Sequence, residues 1–545
     1  MTRARGARRA LGPRTWTPHS TRSAQSERSL ASDRHHAGSI DARLAHATDL
    51  HQAGRFDEAV RGYEAVLECQ PGHPEALHRM GLIAHQLGDF SAAVSLIEAA
   101  ISIDHTDAPR HSNLGLALSA LGHDARAVDC HDRAIVIDPS FAAAWYNRGL
   151  AWCALSLAGN RRQAQLQALL SFDRTLALDP GHRRARYQQG LARLFLGQQD
   201  EAVESFDRVL ASDPEHAGAS WNKSTCLLAR GDLEAGWSLY GARWMAGASA
   251  SVPLTERRPP WRFEASSSAS PGRQLIWAEQ GVGDHIFFGT LLPEWQARVP
   301  SLLVQCDRRL LPLFRRSQPD IAWRASDTPI DPGEYDTHLP LADLARLLRP
   351  SWSDFPERPR PWLMPDPQRV QSIRAALRGS GGPLIGIAWR STCPRTGQAR
   401  SIELARLAAT LGDAIAASGG RLVSLQYGAS EAELAAARRV TGVEVLACES
   451  VDPYADLDGL AALIGACDQI VSIDNSTVHL AGALGARVAV LLPQVADWRW
   501  FTDRSDSPWY AQVTLHRQLV DGEWAPVLHA VAQALVDGPN IRSDE

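Results

Sequence analysis

One spacing constrains the fold of this 545-residue chain more than any other feature: similar segments recur 34 residues apart in its first half. Three segments begin at Ala76, Arg110 and Ala144, and two more begin at Ala185 and Ala219. Glycine recurs at one position of the segments: Gly81, Gly115, Gly149 and Gly190. Alanine recurs at a later position: Ala59, Ala93, Ala127, Ala168 and Ala202. Because small residues let two helices cross closely, the pattern predicts consecutive helical hairpins.

A period of about 34 residues with two helices per unit resembles the tetratricopeptide repeat. We expect five such repeats and a degenerate sixth, Ala219–Trp244, acting as a cap, so that the array covers residues 41–247. The resemblance implies a surface that binds other proteins and carries no chemistry of its own.

Amide side chains recur on the first helix of successive repeats. They are Asn113, Asn147, Gln188 and Asn222. An amide both donates and accepts hydrogen bonds, which suits the backbone of an extended peptide. The sequence therefore suggests a polar ladder that binds an acceptor protein or peptide. The alternative is that these are ordinary solvated polar positions.

Composition limits which kinds of partner and binding site remain possible. A net charge of −5 over 545 residues favours neither nucleic acid nor an anionic membrane as a partner. Lys223 is the only lysine, so a phosphate site would have to use arginine or backbone N–H groups. The eight cysteines are scattered without metal-binding spacing, and no apolar run is long enough to cross a bilayer, which favours a cytoplasmic protein without a metal. The basic, serine-rich residues 1–40 suggest a disordered tail, and the alternative from composition is a transit peptide.

Beyond a Ser- and Pro-rich stretch predicted as a linker over residues 248–273, the period changes. Short apolar runs alternate with amphipathic helices, as in parallel α/β sheets. The predicted strands are Gln274–Ala278, Ser301–Cys306, Leu384–Trp389, Arg421–Gln426, Val443–Leu446, Gln469–Ile473 and Val488–Leu492. We expect two Rossmann-like domains, residues 274–372 and 383–538, with ligands at the carboxyl ends of their strands.

Two motifs follow predicted strands. In the first, Gly281 and Gly283 would let the backbone turn sharply before Asp284, although Asp284 could simply cap the next helix. In the second, a strand ends at Asp474 and a helix begins near Ser476. Its first N–H groups, at Asn475, Ser476 and Thr477, would suit a diphosphate, and His479 one turn later is either part of that site or a packing residue.

Together these two motifs resemble glycosyltransferase family 9, the heptosyltransferase-like enzymes of the two-domain GT-B fold. The resemblance covers roughly Gln274 to Val536 and includes Ile387–Arg390 and Arg400–Ile402. The whole layout resembles bacterial proteins that fuse tetratricopeptide repeats to such a domain. This resemblance implies a fold class of an α solenoid followed by two α/β domains. The first α/β domain would lie on the acceptor side and the second on the nucleotide-sugar side.

The resemblance also implies roles for individual residues. Asp284 would be the general base that deprotonates the acceptor hydroxyl, and Arg400 would stabilise the leaving diphosphate, where the family commonly has lysine. The donor-binding residues would be Arg390, Gln426, Asp474, Asn475, Ser476, Thr477 and His479. The reaction would be a displacement with inversion that needs no metal or cofactor, because the nucleotide sugar is itself the substrate. Asp456 and Asp458 form a D-x-D pair that we interpret as helix capping.

The leading hypothesis is therefore a glycosyltransferase whose repeats present a protein, peptide or glycan acceptor. The alternative is a non-catalytic scaffold or interaction module with a vestigial transferase-like domain.

Overall fold

A computed structural model describes residues 39–156, 161–247, 272–379, 381–393 and 396–537. The predicted tail over residues 1–40 and the predicted linker over residues 248–273 lie almost entirely outside these ranges. The chain divides into two compact units between Ala192 and Arg193. This division falls inside the repeat array, about 55 residues before the end predicted for it at residue 247.

The first unit consists of antiparallel helices, and the predicted helical solenoid is confirmed. Its helices are α1 Ile40–Gln52, α2 Phe56–Cys69, α3 Pro74–Gln86, α4 Phe90–Ile103, α5 Ala108–Ala120, α6 Asp124–Ile137, α7 Ala142–Leu155, α8 Arg161–Leu178 and α9 Arg183–Phe195, the last of which crosses into the second unit. The recurring glycines lie where paired helices touch. A Cβ added to Gly115 would stand 2.6 Å from the His131 ring, too close for any larger residue without rearrangement.

The second unit begins with the last helices of the array. They are α10 Gln199–Ser212, α11 Ala217–Arg230 and α12 Leu233–Leu239, followed by a 3-10 turn, Tyr240–Arg243. We call α11, α12 and this turn the terminal hairpin, Ala217–Arg243. Trp237 and Tyr240 of the terminal hairpin are buried in one hydrophobic core with residues of both sheets. The expected cap would expose a polar face, but large aromatic residues here cover the sheet domains instead.

The first sheet has four parallel strands in the order β3-β2-β1-β4. The strands are β1 Gln274–Trp277, β2 Leu302–Cys306, β3 Ala322–Ala325 and β4 Thr337–Pro340. The helices are α13 Val282–Gly289, α14 Leu292–Arg298, α15 Leu311–Ser317, α16 Asp343–Leu348 and α17 Pro367–Leu377. Strands β1 and β2 were predicted, whereas β3 and β4 were not.

The second sheet has six parallel strands in the order β10-β9-β8-β5-β6-β7. The strands are β5 Leu384–Ala388, β6 Arg421–Ser424, β7 Val445–Leu446, β8 Gln469–Ile473, β9 Val488–Leu492 and β10 Val513–Arg517. The helices are α18 Gly397–Arg400, α19 Leu404–Ala416, α20 Glu431–Thr441, α21 Leu457–Ala466, α22 Ser476–Ala483 and α23 Ala525–Asp537. The chain reverses its direction of travel across the sheet between β5 and β8, which is where ligands bind in doubly wound folds.

None of the helices in the described ranges is both long and apolar enough to span a membrane.

Candidate functional site

The crevice between β5 and β8 brings together the predicted donor-side charges. Asp474 follows β8 and is almost fully buried, and Arg400 ends the short helix after β5. Arg400 Nη1 donates to Asp474 Oδ2 at 2.8 Å. Burial raises the pKa of Asp474 above its usual range although Arg400 opposes the shift. The pairing supplies one fixed arginine at the switch point of the sheet.

The N-terminus of α22 lies beside this ion pair and holds several unsatisfied polar atoms. Asn475 caps the helix, because its Oδ1 accepts from Thr477 N at 3.0 Å and from Val478 N at 3.4 Å. Asn475 Nδ2, Thr477 Oγ1 and Arg400 Nε are buried and find no hydrogen-bond partner within the described part of the chain. Buried polar groups are rarely left unpaired, and the positive end of a helix dipole favours an anion. We call this cluster the anion cradle; its members are Arg400, Asn475, Thr477 and the partly exposed Ser476.

His479 of α22 is a packing residue in this structure. Its Nδ1 lies 3.1 Å from the Tyr510 hydroxyl, and its ring stacks on Trp500 at 5.3 Å between centroids with 5° between the planes. Burial lowers the pKa of His479 to about 3. The imidazole is therefore neutral at pH 7 and supplies no charge to a diphosphate.

Gln426 and Arg390, both predicted to bind the donor, hold loops together. Gln426 Oε1 accepts from the backbone N–H groups of Trp389 at 3.0 Å and Arg390 at 2.8 Å. The Arg390 guanidinium donates to Glu433 at 2.6 Å and to the Gly428 carbonyl at 2.8 Å. Because these contacts occupy the side chains, we leave both residues out of the candidate site.

The turn before α13 faces the cradle from the first sheet. Its left-handed residue is Gln280, with φ of 66°, whereas Gly281 and Gly283 have ordinary φ values. A non-glycine residue in this region is uncommon and marks a constrained segment. A Cβ on Gly283 would stand 3.4 Å from His479 Cδ2 and 3.5 Å from Ser476 Cα, which is ordinary contact distance and shows that α13 begins directly against α22.

Both carboxylate oxygens of Asp284 are engaged. Oδ2 accepts from Gly281 N at 3.0 Å, which is the capping contact that the sequence left open, and Oδ1 accepts from Arg499. Arg499 also donates to Asp497 at 2.8 Å and lies over the rings of Phe287 and Trp498. Burial lowers the pKa of the Arg499 guanidinium less than Asp497 and Asp284 raise it, so it stays charged. Spacing in the sequence did not reveal this partner.

An open pocket of about 720 Å³ lies at the carboxyl ends of β1, β2 and β3. It shares Gly281 and Val282 with the Asp284 turn and includes Asp307 and Arg309. Arg309 is held by Asp307 at 2.9 and 2.8 Å and donates to the Tyr454 carbonyl at 2.9 Å. The volume is in the range of small-molecule sites.

His285 closes the floor of this pocket. Its Nδ1 accepts from the Asp307 backbone N–H at 3.1 Å, and burial lowers its pKa. The ring is therefore neutral at pH 7 and fixes the end of β2 against α13.

The predicted amide ladder is partly used within the array. Asn113 Nδ2 lies 3.0 Å from His78 Nε2, and Asn147 Nδ2 donates to Ser112 Oγ at 3.3 Å, so both amides tie successive first helices together. Asn222 Nδ2 instead donates to the Gly218 carbonyl of its own helix at 2.7 Å. Gln188 is half-buried on α9. The side-chain N–H groups of the three asparagines thus already have intramolecular partners.

The D-x-D pair behaves as a cap. Asp456 Oδ1 accepts from Gly459 N at 2.8 Å at the start of α21, and Asp456 and Asp458 pair with Arg369 and Arg316. The described ranges contain no cluster of three or more His, Cys, Asp or Glu side chains that could hold a metal ion.

Comparison with known families supports the repeat assignment. Residues 50–118 and 187–246 each match the tetratricopeptide repeat family. With the hairpins described above, these matches identify the N-terminal part of the chain as an array of tetratricopeptide repeats. Such repeats indicate a protein-interaction module.

Protein FlbA of Caulobacter vibrioides is 32% identical to the chain over 332 residues. The matched region is 58% of this chain and 54% of FlbA, so the chain spans about half the length of that relative. Because 58% of the 545 residues is more than the 273 residues that precede β1, the match includes part of the α/β region.

Several solved repeat proteins are similar to the helical part. The MamA protein is 26% identical and covers 33% of this chain, with 93% of its own length aligned and a TM-score of 0.29. A Thermus thermophilus protein, described as a thermophilic TPR protein, is 22% identical, with 35% of this chain and 99% of its own covered and a TM-score of 0.28.

Proposed function

We propose that the α/β region is a glycosyltransferase that moves a sugar from a nucleotide sugar to an acceptor hydroxyl, while the repeats bind an acceptor protein. The anion cradle carries this proposal. At the positive end of α22, the side chains of Arg400, Asn475 and Thr477 each have a buried polar atom without a hydrogen-bond partner in the described part of the chain. A diphosphate has several acceptor oxygens and would satisfy the N–H donors, while the Thr477 hydroxyl can donate as well.

The facing turn supports a transfer reaction. Gly283 approaches Ser476 and His479 closely, so Asp284 lies beside the N-terminus of α22. The pocket at the carboxyl end of the first sheet shares Gly281 with that turn and has room for an acceptor group. In the proposed reaction Asp284 takes the acceptor proton as the acceptor oxygen displaces the nucleoside diphosphate, with inversion at the anomeric carbon. Arg400 and the α22 amides stabilise the leaving diphosphate.

The engaged state of Asp284 favours a second candidate function. Both oxygens of Asp284 already accept hydrogen bonds, from Arg499 and from Gly281, so an acceptor hydroxyl would have to displace or share one of these donors. In this second candidate function the α/β region binds a nucleotide sugar without transferring it and serves as a scaffold. That function needs only the anion cradle.

The two candidates differ in product formation. The protein is incubated with host lysate and a panel of uridine, guanosine, adenosine and thymidine diphosphate sugars, and released nucleotide is measured. We expect release with at least one donor and a loss of about 100-fold or more in Asp284→Asn, the size of effect typical of a general base. Release that is absent with every donor would contradict the transferase. Release that survives in the variant would contradict the role of Asp284.

The cradle is tested separately with pyrophosphate as the probe, by calorimetry. Arg400→Met should weaken binding about 10-fold or more, because it removes a charge-assisted hydrogen bond. Thr477→Val should weaken binding less, yet raise the melting temperature of the ligand-free protein, because it removes a buried hydroxyl without a partner. Arg390→Met, which changes an arginine held outside the cradle, is the control and should bind normally. Equal affinities in all four proteins would contradict the cradle.

A further inference from the structure

The terminal hairpin keeps the period of the earlier hairpins, and at one of the buried positions where its sequence departs from theirs it carries a charge. In the preceding hairpins this position holds a small, fully buried residue without charge: Val66, Ala100, Ala134, Thr175 and Val209. The equivalent residue of the terminal hairpin is Arg243, which is 1% exposed. Where another hairpin would pack, the structure places β1 and the segment that follows it. The arginine therefore marks the exchange of a helical neighbour for the sheet.

Arg243 forms a two-point contact with Glu279. Its Nε and Nη2 donate to the two carboxylate oxygens at 2.8 Å each, and Nη2 also donates to Asp343 at 2.7 Å. The guanidinium lies over the rings of Tyr240 and Trp244. A two-point contact between buried planar groups fixes orientation as well as distance.

Glu279 begins the turn that carries Asp284. The next residue is Gln280 with its left-handed backbone, and Gly281 then donates its N–H to Asp284. Glu279 Oε1 also accepts from Ala342 N at 3.3 Å. Clamping the Glu279 carboxylate thus holds the first residue of the constrained segment Glu279–Asp284.

The same hairpin also supports the other partner of Asp284. Trp498 packs edge-on against Trp237 at 5.3 Å between centroids and against Tyr240 at 6.0 Å. Arg499, the next residue, donates to Asp284. The hairpin therefore supports the Asp284 carboxylate from two sides, through Glu279 and through Trp498.

We propose that Arg243 of the terminal hairpin is a positioning residue for the Asp284 turn, so that the last repeat completes the candidate active site. The catalytic consequence rests on the proposed transferase function, whereas the structural consequence does not. Displacing a reacting group by about 1 Å can cost a factor of about 100 in rate. Loss of the Arg243 fork should thus reduce turnover without changing the anion cradle on the other sheet.

The test uses the full chain with Arg243→Met, Arg243→Lys and the control Arg349→Met. Arg349 is another buried arginine of the second unit; it pairs with Glu294 at 2.8 Å and lies over the ring of Phe355. Hydrogen exchange of peptides spanning residues 278–288 and 474–484 reports the turn and the cradle. Pyrophosphate affinity and the kcat of nucleotide release are measured in parallel.

We expect Arg243→Met to accelerate exchange in the turn at least 10-fold and to lower kcat about 100-fold, with cradle exchange and pyrophosphate affinity within twofold of wild type. Arg243→Lys should be intermediate, since it keeps the charge and loses the fork. Arg349→Met should leave exchange in the turn unchanged.

Unchanged exchange in the turn of Arg243→Met would overturn the inference. So would an equal acceleration in Arg349→Met, because that would indicate general destabilisation. If the wild-type protein releases no nucleotide from any donor, the transferase proposal fails, and the exchange data alone decide whether Arg243 positions the turn.

Discussion

The hairpins of the first unit and the terminal hairpin share one period, but different types of residue form their buried faces. In the first unit a glycine such as Gly115 accepts the ring of its partner helix, and the outer positions hold small apolar residues such as Ala134. In the terminal hairpin Ser224 replaces the glycine, Trp237 replaces a valine, and Arg243 replaces a small residue. A repeat period thus specifies how a hairpin folds, while the departures from it specify what the hairpin packs against.

The largest test of this comparison is Trp237→Ala. Trp237 is buried in the core that includes both sheets, and its Nε1 donates to the Arg349 carbonyl at 2.9 Å. We expect a loss of about 3–5 kcal/mol in the unfolding free energy of the second unit, measured by urea denaturation.

The matched variant is Val128→Ala, at the same repeat position in the first unit. It removes the equivalent of two methylenes and should cost about 1–2 kcal/mol, in the first unit alone. If Trp237→Ala left the unfolding of the sheets unchanged, the terminal hairpin would be an ordinary cap.

The second test concerns His131, which stands where Phe172 and Phe206 stand in later repeats. Burial lowers the pKa of His131 from 6.5 to about 4. The unfolded chain therefore binds a proton between pH 6.5 and 4 that the folded chain does not. The first unit should lose about 3 kcal/mol over this window as the pH falls.

His131→Phe should abolish that part of the pH dependence, as measured by urea unfolding at pH 7 and pH 4.5. Glu75, whose pKa is lowered to about 2 by His78 and then by Arg79, affects stability mainly below pH 4.5 and so does not mask the result. Identical pH profiles for the two proteins would show that the His131 ring is accessible to protons in the folded unit.

Gly115→Ala should cost about 1–3 kcal/mol, because the new methyl group would overlap the His131 ring. Gly241→Ala, in the 3-10 turn of the terminal hairpin, has no atom within 4 Å of the added Cβ and should change stability by less than about 0.5 kcal/mol. Thermal melting of both variants would check the pair, and equal costs would refute the close-packing explanation.

Apart from the Gly241→Ala control, the smallest expected effect is that of Ser224→Ala, at the glycine position of the terminal hairpin. Ser224 Oγ donates to the Gly236 carbonyl at 2.8 Å, so its loss should cost about 1 kcal/mol. Ser224→Gly should cost more, because it also loosens the helix. A stabilising Ser224→Ala would mean that packing alone determines this position.

The parts of the fold that were predictable are those whose contacts are local or whose strands contain adjacent Val, Leu or Ile residues. Hairpins follow from pairs such as Gly115 and His131, and β5 and β9 are buried at every residue. Strands β3 and β4 include Arg324 and His338, and β10 alternates Val513 and Leu515 with polar residues, so none of the three has adjacent Val, Leu or Ile residues.

The candidate site was likewise predictable only where its residues are close together in the chain. The motif placed Asp474 and Asn475 at a strand end because the turn from strand to helix is local. The partner of Asp284 is Arg499, which lies 215 residues away in the chain, and only the tertiary structure pairs them. Gln426 and Arg390 lie near the predicted edge, but their side chains bind loops, which residue type alone does not reveal.

The burial of Trp237 and Arg243 against the sheets has a consequence for how such a chain can be shortened or recombined. A fragment that starts after residue 247 would uncover Trp498 and leave the Glu279 carboxylate without its buried counter-charge. The workable junction is the turn between α9 and α10, a few residues after the point at Arg193 where the compact units divide. Earlier hairpins can be exchanged or added at that junction, whereas the terminal hairpin has to be kept together with the sheets.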